Sequence, residues 1–249
     1  TVTLYGNYTI LVQRITSFIG GIVDSTGAGV GNLIAEGNQE KTYCIFKELF
    51  SVRFLMAGVL SLCVWHLGDS FIEIWLGPKI ILALVSLNMF LGILFSIYNQ
   101  FMNGYKLFAD TWVPMCRIGS IAVCVLGGYL WGMAGILGAQ ILTTVLLLHM
   151  WKPYYLFGKG FRLPFMRYIR LFASNLLGLS ATYIVSALLC RWILSSVDAA
   201  GGWAGWLINA TVFTSVLGGI ALIVSYSSQK GTRDFMYRIL KRYPGKFTF

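Results

Sequence analysis

The sequence predicts an all-α membrane protein, a polytopic bundle of about seven transmembrane helices. Of its 249 residues, 57% are hydrophobic and only 11% are charged, whereas soluble domains carry about 25% charged residues. The apolar residues form seven segments long enough to cross about 30 Å of hydrocarbon, and none alternates as a barrel strand does. Because one soluble core cannot bury so much apolar surface, soluble folds are excluded.

The seven predicted spans follow one another with short connections, and a basic tail over residues 228–249 ends the chain. The spans are placed near residues 3–35, 45–67, 79–103, 108–130, 133–151, 168–194 and 203–227. The chain opens inside the approach to a helix, so we expect it to be a fragment of a longer protein.

The net charge of +10 comes from basic residues in the connections of one side. They are Lys41, Lys47, Arg53, Lys106, Lys152, Lys159, Arg162, Arg167, and in the tail Lys230, Arg233, Arg238, Lys241, Arg242 and Lys246. Residues 152–167 are predicted to be one of these loops. Since basic loops stay in the cytoplasm, we expect a cytoplasmic C-terminus and an outer N-terminus. No basic helix carries groove-reading polar residues, so membrane lipids are expected partners and nucleic acid is not.

The first span has two unlike faces at helical spacing. One is small and carries an acid: Ser17, Gly20, Gly21, Asp24, Gly27, Ala28, Gly31 and Ala35. The other is bulky and is predicted to face lipid: Ile15, Ile19, Ile22, Val30 and Leu33. Small residues suit close helix packing. A carboxylate in mid-span faces a partner or a water-filled cavity, so Asp24 either couples a proton or cation, shapes a polar cavity, or bonds a neighbouring helix.

The third span carries polar or small residues at spacings of four, four, three and four. They form one stripe along an apolar helix: Asn88, Gly92, Ser96, Asn99 and Asn103. Gln100 lies beside this stripe. Neutral amides bind sugar hydroxyls in a wet cavity, and they also join helix to helix. Because the stripe runs along the whole helix, we predict a cavity.

Two arginines within the spans are further candidates for a substrate cavity. Arg14 lies near the outer edge of the first span, where it either snorkels to the interface or contacts an anionic substrate. Arg117 lies inside the fourth span, where its guanidinium either binds a phosphate through two hydrogen bonds or pairs with Asp110. The predicted cavity residues are Arg14, Asp24, Asn88, Ser96, Asn99, Asn103 and Arg117.

The sequence offers little for catalysis or metal binding. Its five cysteines are widely spread with no CxxC pair, its two histidines are far apart, and no carboxylate pair or Gly-rich phosphate loop occurs. We therefore expect no catalytic residues, no metal and no cofactor, apart from coupling to a proton or sodium gradient.

Three segments give the chain a family resemblance. YGNY (5–8) leading to GNLIAEGNQEK (31–41), WLG (75–77) and KPYYLFGKGF (152–161) are similar to parts of the polysaccharide transporters. These form one branch of the multidrug/oligosaccharidyl-lipid/polysaccharide flippase superfamily. Lys152 stands where this branch usually has an acidic residue. The resemblance extends to about residue 170.

The resemblance implies a transporter of 12 to 14 helices in two pseudo-symmetric lobes, of which this chain is the C-terminal lobe and the N-terminal lobe is missing. Such transporters export undecaprenyl-pyrophosphate-linked oligosaccharides for O-antigen, capsule or exopolysaccharide across the bacterial inner membrane by alternating access. Their cationic cavity points to Arg14 and Arg117 here. A multidrug or cation antiporter of the same superfamily, and a membrane-embedded glycan polymerase, are the alternatives.

Overall fold

The computed structural model describes residues 13–14, 16–17, 19–21, 26–75, 79–108, 112–195 and 203–242. Within these ranges the side chains at 68–80, 112–114, 194–195, 203–204 and 239–242 lie outside the description. All regular structure in the described residues is helical, so the predicted all-α class is confirmed.

The helices follow one another with short connections. They are α1 (Gly27–Ala35), α2 (Gln39–Trp75), α3 (Lys79–Gly104), α4 (Trp112–Thr144), π1 (Val145–Trp151), α5 (Lys152–Tyr155), π2 (Leu156–Phe161), α6 (Met166–Ser195), α7 (Trp203–Ser228) and α8 (Lys230–Arg242). From π1 to π2 the chain is continuously helical, with π turns on either side of α5.

Five described segments are long and apolar enough to cross a membrane, which makes the chain a multi-pass membrane protein. They are Gln39–Leu67, Ile81–Gly104, Met115–Phe161, Met166–Ile193 and Gly205–Ser228. The longest contains both the fourth and the fifth predicted spans. Most of the first predicted span, 3–35, lies outside the described residues.

The longest segment is a hairpin, not one straight rod. Its backbone leaves helical geometry at Trp131 (φ −131°) and at Gly132, whose φ of +60° favours glycine. Antiparallel contact follows directly, because a Cβ added at Gly127 would lie 2.5 Å from the carbonyl oxygen of Gly135. Only glycines at both positions allow this backbone approach. The predicted boundary between the fourth and fifth spans is therefore confirmed.

An aromatic core joins α2, α3, π2 and α6. Its buried rings include Phe46, Phe50, Phe54, Tyr98, Phe101, Phe157, Phe161 and Tyr168. Most pairs meet edge to face, as with Phe46 and Phe101 at a centroid distance of 5.1 Å, an arrangement that adds to the gain from burial. This core fixes the position of α3 against α2 and the helical run from π1 to π2.

The basic residues gather at one end of the bundle because successive spans alternate in direction. The start of α2 meets π2 through Tyr43 and Phe161, the end of α3 meets π2 through Tyr105 and Phe161, and α8 packs against α2 at Lys47. We call the end of the bundle where these contacts and the basic residues lie the basic end. The prediction of a loop over residues 152–167 was wrong for 152–161, which are helical, and the predicted basic tail contains the helix α8.

The prediction for the bulky face of the first span was also wrong. Val30, Leu33 and Ile19 are buried within the bundle, and Val30 with Ile34 packs against α3 at Gly104. Ala28, from the small face, is exposed instead. The periodicity defined the two faces correctly, but large apolar groups gain more from packing against α3 than small ones do.

Candidate functional site

The polar and small residues predicted to share one face of a helix do share a face of α3, and that face is partly exposed. We call Asn88, Gly92, Ser96, Asn99 and Asn103 the polar stripe. Gly92 and Asn103 are exposed, and the other three are half-buried. A Cβ added at Gly92 would meet nothing within 4 Å. Among the described residues, none packs over the stripe at Gly92.

One cation reaches the stripe from beneath. Arg53 on α2 is only 2% exposed. Its guanidinium donates hydrogen bonds to Ser96 Oγ at 3.4 Å, to Thr26 Oγ1 at 3.0 Å and to Gln100 Oε1. Hydrogen bonds to a charged donor are worth more than neutral ones. Arg53 thus ties α1, α2 and α3 together under the stripe and adds positive charge there.

A second cation lies on the stripe itself. Lys152 at the start of α5 donates from Nζ to Asn99 Oδ1 at 2.8 Å, and its ammonium lies 4.9 Å from the centroid of the Phe95 ring. Lys152 is half-buried, so its charge is less screened than that of a fully exposed lysine.

Pro153, the residue after Lys152, lacks an N–H, and a side chain from α6 compensates for this. Proline has no N–H and cannot bond the carbonyl four residues earlier, which is that of His149. Tyr168 supplies the missing donor, since its hydroxyl donates to His149 O at 3.1 Å. The π turns on either side of α5 widen the helix, a deviation that is frequent at functional sites.

The polar stripe runs between two neighbouring helices. At about 100° per residue, Gln100 and Gly104 lie on one flank of the stripe, and Leu91 lies on the other. Gln100 accepts a hydrogen bond from Thr26 at 3.3 Å, which places α1 on the first flank. His149 Nε2 bonds Leu91 O at 3.0 Å, which places π1 and α5 on the second. The stripe is the floor of a groove whose sides are α1 and the π1–α5 run.

The predicted cavity residues divide into three groups. Ser96 and Asn99 contact the two cations. Asn88 and Asn103 share their helix face but have no described contact with a cation. Arg14 and Arg117 are exposed, and the described contacts do not join either to the stripe. Asp24 lies outside the described residues.

Sequence reasoning missed Arg53, Gln100 and Lys152 as site residues, although a signal for Arg53 was present. Arg53 was assigned to the charges that set orientation. It follows Phe46 by seven residues, however, and this spacing returns to the same helix face. A basic residue in register with buried phenylalanines belongs to the interior, not to a loop.

An apolar cavity of about 290 Å³ lies elsewhere, between α2, α3 and α6. Its lining includes Gly58, Leu87, Phe90 and the serines Ser61 and Ser86. The hydroxyl oxygens of both serines are buried with no hydrogen-bond partner among the described residues. None of the predicted cavity residues lines it.

No protein-family model, curated protein or solved structure matches this chain. The groove presents neutral amide and hydroxyl groups beside two cations. Such a set can bind a ligand that combines hydroxyl groups with negative charge.

Proposed function

We propose that this chain is a lobe of a membrane transporter that moves a lipid-linked oligosaccharide with a pyrophosphate link across the bacterial inner membrane. The observation that supports this most directly is the groove on α3. Amides along its floor suit sugar hydroxyls, and Lys152 and Arg53 suit a phosphate group. The sequence resemblance to polysaccharide transporters agrees with this chemistry.

Two of the groove's residues have distinct roles in this proposal. Lys152 makes the direct contact with the anion, because it is half-buried and already hydrogen-bonded to Asn99 on the groove floor. Arg53 is more deeply buried and acts mainly by placing Ser96 and Gln100 and by raising the local positive potential. Asn99 alternates between Lys152 and substrate hydroxyls.

The second side of the cavity would come from another lobe. The polar stripe is flanked by α1 and by the π1–α5 run, and the described residues leave Gly92 and Asn103 of the stripe exposed. Alternating access needs two bodies that close around such a surface in turn. The basic end faces the cytoplasm in this proposal, because basic connections are retained there.

Binding of undecaprenyl pyrophosphate tests the anion contact. Lys152→Gln should weaken binding of this lipid at least about tenfold, since a charge-assisted hydrogen bond contributes about 1.5 kcal/mol or more. Native mass spectrometry of the purified chain titrated with the lipid measures the change. Undecaprenol, which lacks the phosphates, should bind the wild type and the variant equally.

Lys159→Gln is the matched control, because Lys159 lies in the same helical run but is exposed. It should bind the lipid as the wild type does. If Lys152→Gln and Lys159→Gln behave alike, the groove is not the anion site. A preference for lipophilic cations that is stronger than the preference for the pyrophosphate would favour the antiporter alternative.

A further inference from the structure

A second cavity, of about 170 Å³, lies at the basic end and is polar. We call it the boundary pocket. Its walls come from α2, α6 and α8 with the residues joining α7 to α8. It is lined by Cys44, Lys47, Glu48, Ser51, Leu171, Ser174, Asn175, Ser228, Gln229, Lys230, Gly231 and Asp234. None of the predicted cavity residues is among them, so this pocket is separate from the groove on α3.

Two buried acceptors in the boundary pocket have an oxygen without a donor. Glu48 is 5% exposed; its Oε1 accepts from Arg238 Nη2 at 2.8 Å, and its Oε2 has no partner among the described residues. Asn175 is 2% exposed; its Nδ2 donates to Leu171 O at 2.7 Å, and its Oδ1 likewise has no described partner. Buried acceptors are almost always satisfied. The pocket therefore calls for a ligand that donates hydrogen bonds.

The pocket is built by a close helix approach. A Cβ added at Gly231 would lie 2.8 Å from the carbonyl oxygen of Lys47 and 2.9 Å from Ser51 Oγ. Glycine at this position lets α8 lie directly against α2. The ion pair between Arg238 and Glu48 holds the same two helices together, with Arg238 about two turns beyond Gly231 on α8.

The pocket lies where the apolar spans give way to charge. Lys47 on α2, Arg170 on α6 and Lys230 on α8 mark this level on three helices. Phospholipid headgroups occupy this zone of a bilayer, just outside the hydrocarbon. Lys47 and Lys230 line the pocket, so it offers cations beside its two buried acceptors.

We propose that the boundary pocket binds the headgroup of phosphatidylethanolamine. The primary ammonium donates to Glu48 Oε2 and Asn175 Oδ1, and the phosphate contacts Lys47 and Lys230. Phosphatidylcholine carries the same charges, but its quaternary ammonium has no N–H and cannot satisfy these oxygens. Phosphatidylglycerol has the phosphate without an ammonium. The proposal does not depend on what the groove on α3 transports.

Lipid competition on the purified chain tests this. The chain in detergent is exposed to equal amounts of phosphatidylethanolamine, phosphatidylcholine and phosphatidylglycerol of the same acyl chains, and bound lipids are counted by native mass spectrometry. We expect phosphatidylethanolamine to be retained at least about tenfold over phosphatidylcholine. Equal retention of these two lipids would overturn the proposal without any variant being needed.

Variants show which residues produce the preference for phosphatidylethanolamine. Glu48→Gln and Asn175→Ala should each reduce the phosphatidylethanolamine preference several-fold. Arg238→Gln is the matched control: it breaks the same ion pair as Glu48→Gln but leaves the carboxylate, so it should keep the preference. Loss of the preference in both Arg238→Gln and Glu48→Gln would show that helix docking, not the carboxylate, is responsible, and would contradict the proposal. Survival of the preference in Glu48→Gln would contradict it as well. Stronger retention of phosphatidylglycerol than of phosphatidylethanolamine would overturn the proposal, because hydroxyl donors or the lysines, and not a primary ammonium, would then select the lipid.

Discussion

Two surfaces of this bundle are both open, but they differ in what they expose. The α4 surface carries large apolar side chains such as Met115, Ile118, Ile121 and Tyr129, with Ile118 72% exposed. The second surface, which we call the open face, is partly exposed among the described residues and consists of the polar stripe on α3 together with Gly27, Ala28 and Gly31 of α1. It has small, amide and hydroxyl groups and borders two cations.

In a membrane protein, exposed apolar side chains and exposed polar side chains have different explanations. Large apolar groups exposed in a bundle of membrane spans are matched by lipid chains. Amides and a buried arginine gain nothing from lipid and are expensive there. The α4 surface is thus made for the bilayer, whereas the open face is made for water, for substrate or for another protein surface.

The largest effect that should separate the two surfaces comes from their arginines. Arg53→Met removes a buried guanidinium that links α1, α2 and α3, and should lower the free energy of unfolding by roughly 2–3 kcal/mol. Arg117→Met removes an exposed guanidinium from the α4 surface and should change it by less than about 0.5 kcal/mol. Unfolding of both variants in a mixed-micelle denaturant titration gives the comparison. Equal effects would mean that the Arg53 network carries no net stability.

A smaller effect is expected at the turn that folds the α4 surface back on itself. A Cβ at Gly135 would overlap the carbonyl oxygen of Gly127, so Gly135→Ala should destabilise the hairpin by about 2 kcal/mol. Gly138→Ala, three residues on, meets nothing within 4 Å and should be neutral or slightly stabilising. Thermal unfolding in the same detergent measures both. If Gly138→Ala proves the more harmful, the two arms do not pack as described.

Span positions were predictable because they depend on local composition. The predicted span 79–103 compares with Ile81–Gly104, and 203–227 with Gly205–Ser228. The fourth and fifth spans were separated at the right residue, since Gly132 follows Trp131 where two apolar runs meet. Each of these signals is contained in a short window of sequence, as hydropathy and turn chemistry are.

The direction of each helix face was not predictable in the same way. Periodicity divides the first span into a small and a bulky face, but it does not say which neighbour covers which. Val30 is buried because α3 lies against it at Gly104, and that contact joins residues about seventy positions apart. The helical conformation of residues 152–161 was missed for a related reason. The basic residues between two apolar spans indicated a loop, whereas Tyr168 donates to the carbonyl of His149, four residues before Pro153.

The pairing of Lys152 with Asn99 depends on the same kind of distant contact. The polar stripe on α3 was visible from spacing alone, and a cavity was predicted from it. The cations beside it come from α2 and α5, which no periodicity within α3 can reveal. The predicted arginines, Arg14 and Arg117, were chosen for lying within spans, and their contact with substrate stays a prediction.

The most specific comparison of the two surfaces uses two glycines with the same local environment. Gly92 in the polar stripe and Gly119 on α4 are both helical and exposed, and a Cβ at either would meet nothing within 4 Å. The described residues thus leave room for a Cβ at both positions, and the loss of a mid-helix glycine adds slightly to helix stability. If the open face contacts substrate or a second lobe, Gly92→Leu should lower glycan export roughly fivefold, equivalent to about 1 kcal/mol of barrier. Gly119→Leu faces lipid and should export normally.

Surface glycan is measured in a bacterial strain that lacks its own exporter, with protein levels matched by immunoblot. Normal export by Gly92→Leu would show that the open face accepts a large side chain as readily as the lipid surface does, and the distinction between the two surfaces would then have no functional content.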